Sequence, residues 1–174
     1  YGTYEAAVNE IVTAVREKKD AAVFSYTEKF DGAKLDASSV EVTEEEVEEA
    51  YRQVDEGLID VIRKARANIL AYHEKQKENS WFTSAEEGTL LGQKVTPLNR
   101  VGVYVPGGKA AYPSSVLMNV LPAQVAGVRE ICMVTPCNRE GKVNPVVLAA
   151  AKEAGVQRIF KIGGAQAVAA LAYG

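Results

Sequence analysis

From Arg100 onward, short apolar runs rich in β-branched residues alternate with helix-length stretches. That alternation constrains the fold more than anything else in the chain. Val101-Gly102-Val103-Tyr104-Val105 reads as a strand stopped by Pro106-Gly107-Gly108, and residues 114–126 read as a helix. Pro122 falls inside that helix and predicts a kink or an early break. Ile131-Cys132-Met133-Val134 is a second strand, and Asn144-Pro145 opens a second helix closed by Gly155. Arg158 to Ile162 is a third strand, and Gly163-Gly164-Ala165-Gln166 leads into a third helix. Strands and helices alternating at this spacing require a parallel sheet with crossover helices, hence an α/β fold. Three strands would leave such a sheet with an exposed edge.

Residues 1–99 are built differently. All six prolines lie at or after Pro97, and nine of the fourteen glycines at or after Gly102. The first 99 residues hold 12 basic and 20 acidic side chains, whereas residues 100–174 hold 8 and 3. The sequence thus divides into residues 1–99, a helical arm with a hairpin, and residues 100–174, an incomplete Rossmann-like sheet in the order βαβαβα.

In the arm, Val8, Ile11, Val12 and Val15 follow the spacing of one buried helix face. Asp20 is placed to cap a second helix ending at Asp31-Gly32. Thr43-Glu44-Glu45-Glu46 is a capping box, with the Glu44–Glu49 run as a solvated first turn. The seam that follows, Val47, Tyr51, Val54, Leu58, Val61, Ala65, Ile69 and Tyr72, predicts one helix of about 35 residues, roughly 50 Å long, with Gly57 as a soft point. A helix of that length needs a partner beyond this domain. Trp81-Phe82-Thr83 and Leu90–Val95, around Glu86-Glu87-Gly88, predict an antiparallel hairpin.

Composition narrows the function. A net charge of −3 argues against a nucleic-acid binder. No apolar run approaches the ~20 residues of a membrane span, and the first residues lack the pattern of a signal peptide. Cys132 and Cys137 have no zinc spacing and suit a reducing cytoplasm. His73, the single histidine, reads as a helix-surface residue, and Ser114 and Ser115 have no base at recognisable spacing.

Ligands of open α/β sheets bind beyond the carboxyl ends of the strands. Gly107-Gly108 and Gly163-Gly164 lie there, either as phosphate-approaching turns or simply as tight strand–helix turns. Tyr104 could stack on a ring or be a half-buried aromatic. Gln166 could read an amide or hydroxyl, or act as a cap.

Several blocks, in order, are similar to histidinol dehydrogenase. They are Arg100-Val-Gly-Val-Tyr-Val-Pro-Gly-Gly-Lys109, Tyr112-Pro-Ser-Ser-Val-Leu-Met-Asn119, Pro122–Gly127, Val134-Thr-Pro136, Ile162-Gly-Gly-Ala-Gln-Ala167 and Ala169–Gly174. Trp81, Gly92-Gln93 and Pro97 fit the family's N-terminal region. The resemblance implies an aldehyde-dehydrogenase-like fold and a cytoplasmic, homodimeric enzyme of histidine biosynthesis that uses NAD and zinc. It implies oxidation of L-histidinol through the aldehyde to L-histidine. It also assigns Tyr104 and Gln166 to NAD. The family's zinc ligands and catalytic glutamate–histidine pair match nothing here, so the expectation is an N-terminal fragment with part of the NAD surface and no turnover of its own. Two rival readings are another aldehyde-dehydrogenase-like oxidoreductase and a non-catalytic assembly domain.

Overall fold

The structure is a computed structural model that describes residues 2–84, 88–107 and 110–174. Among these residues, seven helices and five strands run in the order α1 (Gly2–Lys18), α2 (Asp20–Asp31), α3 (Glu44–Gln53), α4 (Glu56–Glu74), β1 (Trp81–Ser84), β2 (Leu90–Gln93), β3 (Arg100–Tyr104), α5 (Pro113–Ala126), β4 (Glu130–Val134), α6 (Pro145–Ala154), β5 (Arg158–Phe160) and α7 (Gly164–Tyr173).

The alternation after Arg100 yields a parallel sheet in the order β3-β4-β5. Central β4 is buried from Ile131 to Val134, as expected of a strand covered on both faces. Its side chains alternate between two cores. Ile131 and Met133 join Val103, Val105 and Ile159 against α5 and α6, while Val134 joins Ile162, Ala167 and Val15 against α7 and α1. The first core also contains Ala33, Ala50 and Ile62, so it draws on residues from both sides of Arg100.

The single long helix is not formed. Val54 adopts an extended conformation, and the Asp55 carboxylate accepts a hydrogen bond from the Leu58 N–H at 3.1 Å, starting α4 afresh just before Gly57. The break folds α3 onto α6 and α4 onto α5 and α6. Val47, Ala65 and Ile69 therefore pack on the chain's own core, and only part of the seam, Val61 and Tyr72 included, faces solvent. No outside partner is needed to cover the rest. Asp55→Ala is expected to cost about 1 kcal/mol of stability in urea unfolding, the usual loss of an N-cap. An unchanged midpoint would mean that packing alone breaks the helix.

Three other local expectations shift. Asp20 is the first residue of α2 and not its cap: Lys19, at φ +52°, makes the turn, and its carbonyl accepts from the Ala22 and Val23 N–H groups. Helix α5 runs through Pro122 without breaking. The carbonyl that Pro122 cannot bond belongs to Met118, an exposed position. The β5 edge is covered in part. The Val42 N–H donates to the Ile159 carbonyl at 2.9 Å, and the Lys161 N–H to the Val40 carbonyl at 2.8 Å. Arg158 clamps Glu41 there with two hydrogen bonds of 2.8 and 2.9 Å, which hold the Glu41 carboxyl below its usual range.

The hairpin forms with Phe82 opposite Gly92 and Thr83 opposite Leu91. Both of its faces are exposed, including Trp81, Phe82, Leu90 and Leu91. Glu86 and Glu87, expected in its turn, lie outside the described residues.

Candidate dinucleotide site at the carboxyl ends of the strands

Strands β3, β4 and β5 end side by side, so the turns that follow them meet. Gly107 and Gly163 both press on Pro136, which follows β4. A Cβ at Gly107 would come within 2.6 Å of Pro136 Cγ, and one at Gly163 within 2.7 Å of Pro136 Cβ. Close packing of the turns is thus sufficient reason for glycine at these two positions. Gly108 and Lys109 lie outside the described residues.

Gly164 is different. At φ +66° it occupies the left-handed region, and a Cβ there would meet the Gln166 Oε1 at 2.7 Å. Its N–H, at the start of α7, donates to the Tyr104 hydroxyl at 3.2 Å. No side chain among the described residues caps α7. The two residues singled out from the sequence, 62 positions apart, therefore converge on Gly164. Tyr104 is 37% exposed at the end of β3, whereas Gln166 is 1% exposed in the first turn of α7. The Gln166 Oε1 is buried and has no hydrogen-bond partner among the described residues. A buried carbonyl oxygen left unpaired costs free energy that a ligand donor would recover. It does not cap the helix.

A cleft of about 430 Å³ has Pro136, on which Gly163 presses, in its wall. It is lined by Gly107, Thr135, Cys137 and Lys142 from the sheet half and by Glu46, Glu49 and Gln53 from α3. The acidic run on α3 is only partly the solvated first turn expected. The Glu46 Oε2 closes the capping box on the Thr43 N–H at 2.9 Å, while its Oε1 accepts from Lys161 Nζ at 2.6 Å. Lys161 is 7% exposed. Nothing in the sequence beyond the capping box marked α3 as part of a site, because its approach depends on the break at Val54.

The surroundings of Cys137 disfavour its thiolate. Burial and, secondarily, the charge of Asp31 push its thiol up, and the thiol donates to the Lys161 carbonyl at 3.5 Å. Cys132 is likewise buried, and both cysteines are free. His73 sits at the end of α4 with its Nδ1 2.7 Å from Gln76 Oε1, away from the strand ends. Among the described residues, no three His, Cys, Asp or Glu side chains gather to hold a metal.

The profile of the family described as histidinol dehydrogenase matches residues 1–174. The chain belongs to the histidinol dehydrogenase family. Histidinol dehydrogenase of Geobacillus kaustophilus is 58% identical over 168 residues, covering 97% of this chain and 39% of that protein. The Bacillus subtilis protein of the same name is 57% identical over 167 residues, covering 96% and 39%. The crystal structure of histidinol dehydrogenase from Elizabethkingia anophelis superposes with a TM-score of 0.90 at 36% identity, over 98% of this chain and 39% of that one. The chain thus spans about two fifths of the length of these histidinol dehydrogenases.

Proposed function

We propose that this chain forms the NAD-binding part of a histidinol dehydrogenase, an oxidoreductase that converts L-histidinol to L-histidine in two successive oxidations. The observation that carries the NAD assignment is the buried Gln166 Oε1 beside Gly164, unpartnered among the described residues, with the Tyr104 hydroxyl bonded to Gly164. When bound, NAD would accept the hydride released in each oxidation. The chain's own part is to hold it: Gln166 offers an acceptor to an amide or hydroxyl donor, and Tyr104 offers an aromatic face at the end of β3. In this reading residues 100–174 supply the nucleotide half and residues 1–99 the helical support and hairpin.

Zinc belongs to the same family reading. The described residues offer no donor set that fits it, so no step is assigned to a metal here. A homodimer and a cytoplasmic location complete the proposal. The exposed Trp81, Phe82, Leu90 and Leu91 are surface that an interface would bury, and the free cysteines suit a reducing compartment. No helix among the described residues is long and apolar enough to cross a membrane.

Calorimetric titration of the intact protein with NAD tests the reading. Tyr104→Ala is expected to weaken NAD about tenfold, since a stacked, hydrogen-bonded tyrosine contributes on the order of 1–2 kcal/mol. Affinity equal to that of the unmodified protein would remove the tyrosine from the site.

A further inference from the structure

In dinucleotide-binding sheets the adenosine ribose lies beyond the strand next to the glycine turn. An acidic side chain about 20 residues after that turn accepts its 2′-hydroxyl. Here that position is the end of β4, and the residues there are Val134-Thr135-Pro136-Cys137-Asn138, without an acid. Asn138 is occupied, its Oδ1 accepting from the Glu140 and Lys142 N–H groups at 3.0 and 2.8 Å. Glu130 lies at the opposite end of β4 and pairs with Arg100.

The carboxylates that line the cleft come instead from α3. Both Glu46 oxygens are engaged, one by Lys161 and one by the Thr43 N–H. Glu49 has, among the described residues, only the Gln53 amide at 3.3 Å. It therefore presents an acceptor to the cleft at little cost. Helix α3 is firmly seated against the sheet half, through buried Ala50 and the 2.6 Å pair of Glu48 with Lys152. Gly107 and Pro136 line this cleft, and Pro136 also packs against Gly163, the residue before Gly164 of the Tyr104–Gln166 patch, so the two regions adjoin within the reach of one extended ligand.

We propose that Glu49 sets the cofactor preference: its carboxylate accepts the 2′-hydroxyl of the adenosine ribose and repels a 2′-phosphate, selecting NAD over NADP. The inference rests on the NAD reading above and supplies its specificity determinant. Lys142 is the one cation lining the cleft among the described residues. With the Glu49 charge removed, it would favour the phosphorylated cofactor.

The test is calorimetric titration of the intact protein with NAD and, separately, NADP. Glu49→Gln is expected to weaken NAD several-fold, because the amide oxygen still accepts from the hydroxyl but the charge-assisted part of the bond is lost. The same change is expected to tighten NADP, and Glu49→Gln/Lys142→Ala to lose that gain. Circular dichroism establishes that the variants keep their fold. An NAD-to-NADP ratio unchanged by Glu49→Gln, in a protein whose NAD affinity still depends on Tyr104, overturns the role of Glu49 and leaves the NAD reading standing. Failure of the unmodified protein to bind either nucleotide overturns both.

Discussion

Glu46→Ala is expected to destabilise the protein by about 3 kcal/mol, the lower end of the range for breaking a buried ion pair, because part of the Glu46 side chain faces solvent. The cause is what the mutation leaves behind. Lys161 Nζ sits 2.6 Å from Glu46 Oε1 on a residue with 7% exposure, and loss of the carboxylate strands its charge. The Thr43 N–H loses its capping partner at the same time. Glu46→Ala/Lys161→Met removes both charges, and most of the loss should return, leaving only the broken cap at about 1 kcal/mol. Urea unfolding of the single and double variants measures this. If the double variant is as unstable as Glu46→Ala, the stranded charge is not the cause.

Gln166→Met is expected to move stability and binding in opposite directions. Methionine has nearly the shape of glutamine but no carbonyl oxygen to leave unpaired, so burial at this site should become more favourable by about 1 kcal/mol. The same change deletes the acceptor offered to NAD and should weaken NAD at least tenfold. A residue kept only for packing would not separate the two readouts. Lower stability with unaltered NAD affinity would place Gln166 in the core and outside the site.

Glu46 meets Lys161, and Gln166 lies beside the contact of Gly164 with Tyr104; such contacts between distant parts of the chain divide what was legible in the sequence from what was not. The sheet was legible because β3, β4 and β5 are short apolar runs ended by Pro and Gly, and a parallel sheet buried on both faces demands that pattern. The capping box at Thr43 and the Asn144-Pro145 helix start were legible because such signals act within a few residues. Tyr104 and Gln166 were singled out through a family motif, and the structure sets them at a strand end and in the first turn of a helix.

The break at Val54-Asp55 was not legible. Helical periodicity runs on through it past the Gly57 soft point, and the Asp55 cap acts together with the packing of the two shorter helices on α5 and α6. From that break follow the seating of α3 on α6, the burial of the Lys161–Glu46 pair and the acidic wall of the cleft. By itself the sequence determined the element types, the sheet class and the family, since these depend on local pattern and motif. Tertiary structure alone decided that an acidic helix from the first half closes a cleft on the second. Contacts between residues about 100 positions apart, such as Tyr51 with Glu153 and Glu46 with Lys161, arise from packing, which no local pattern encodes.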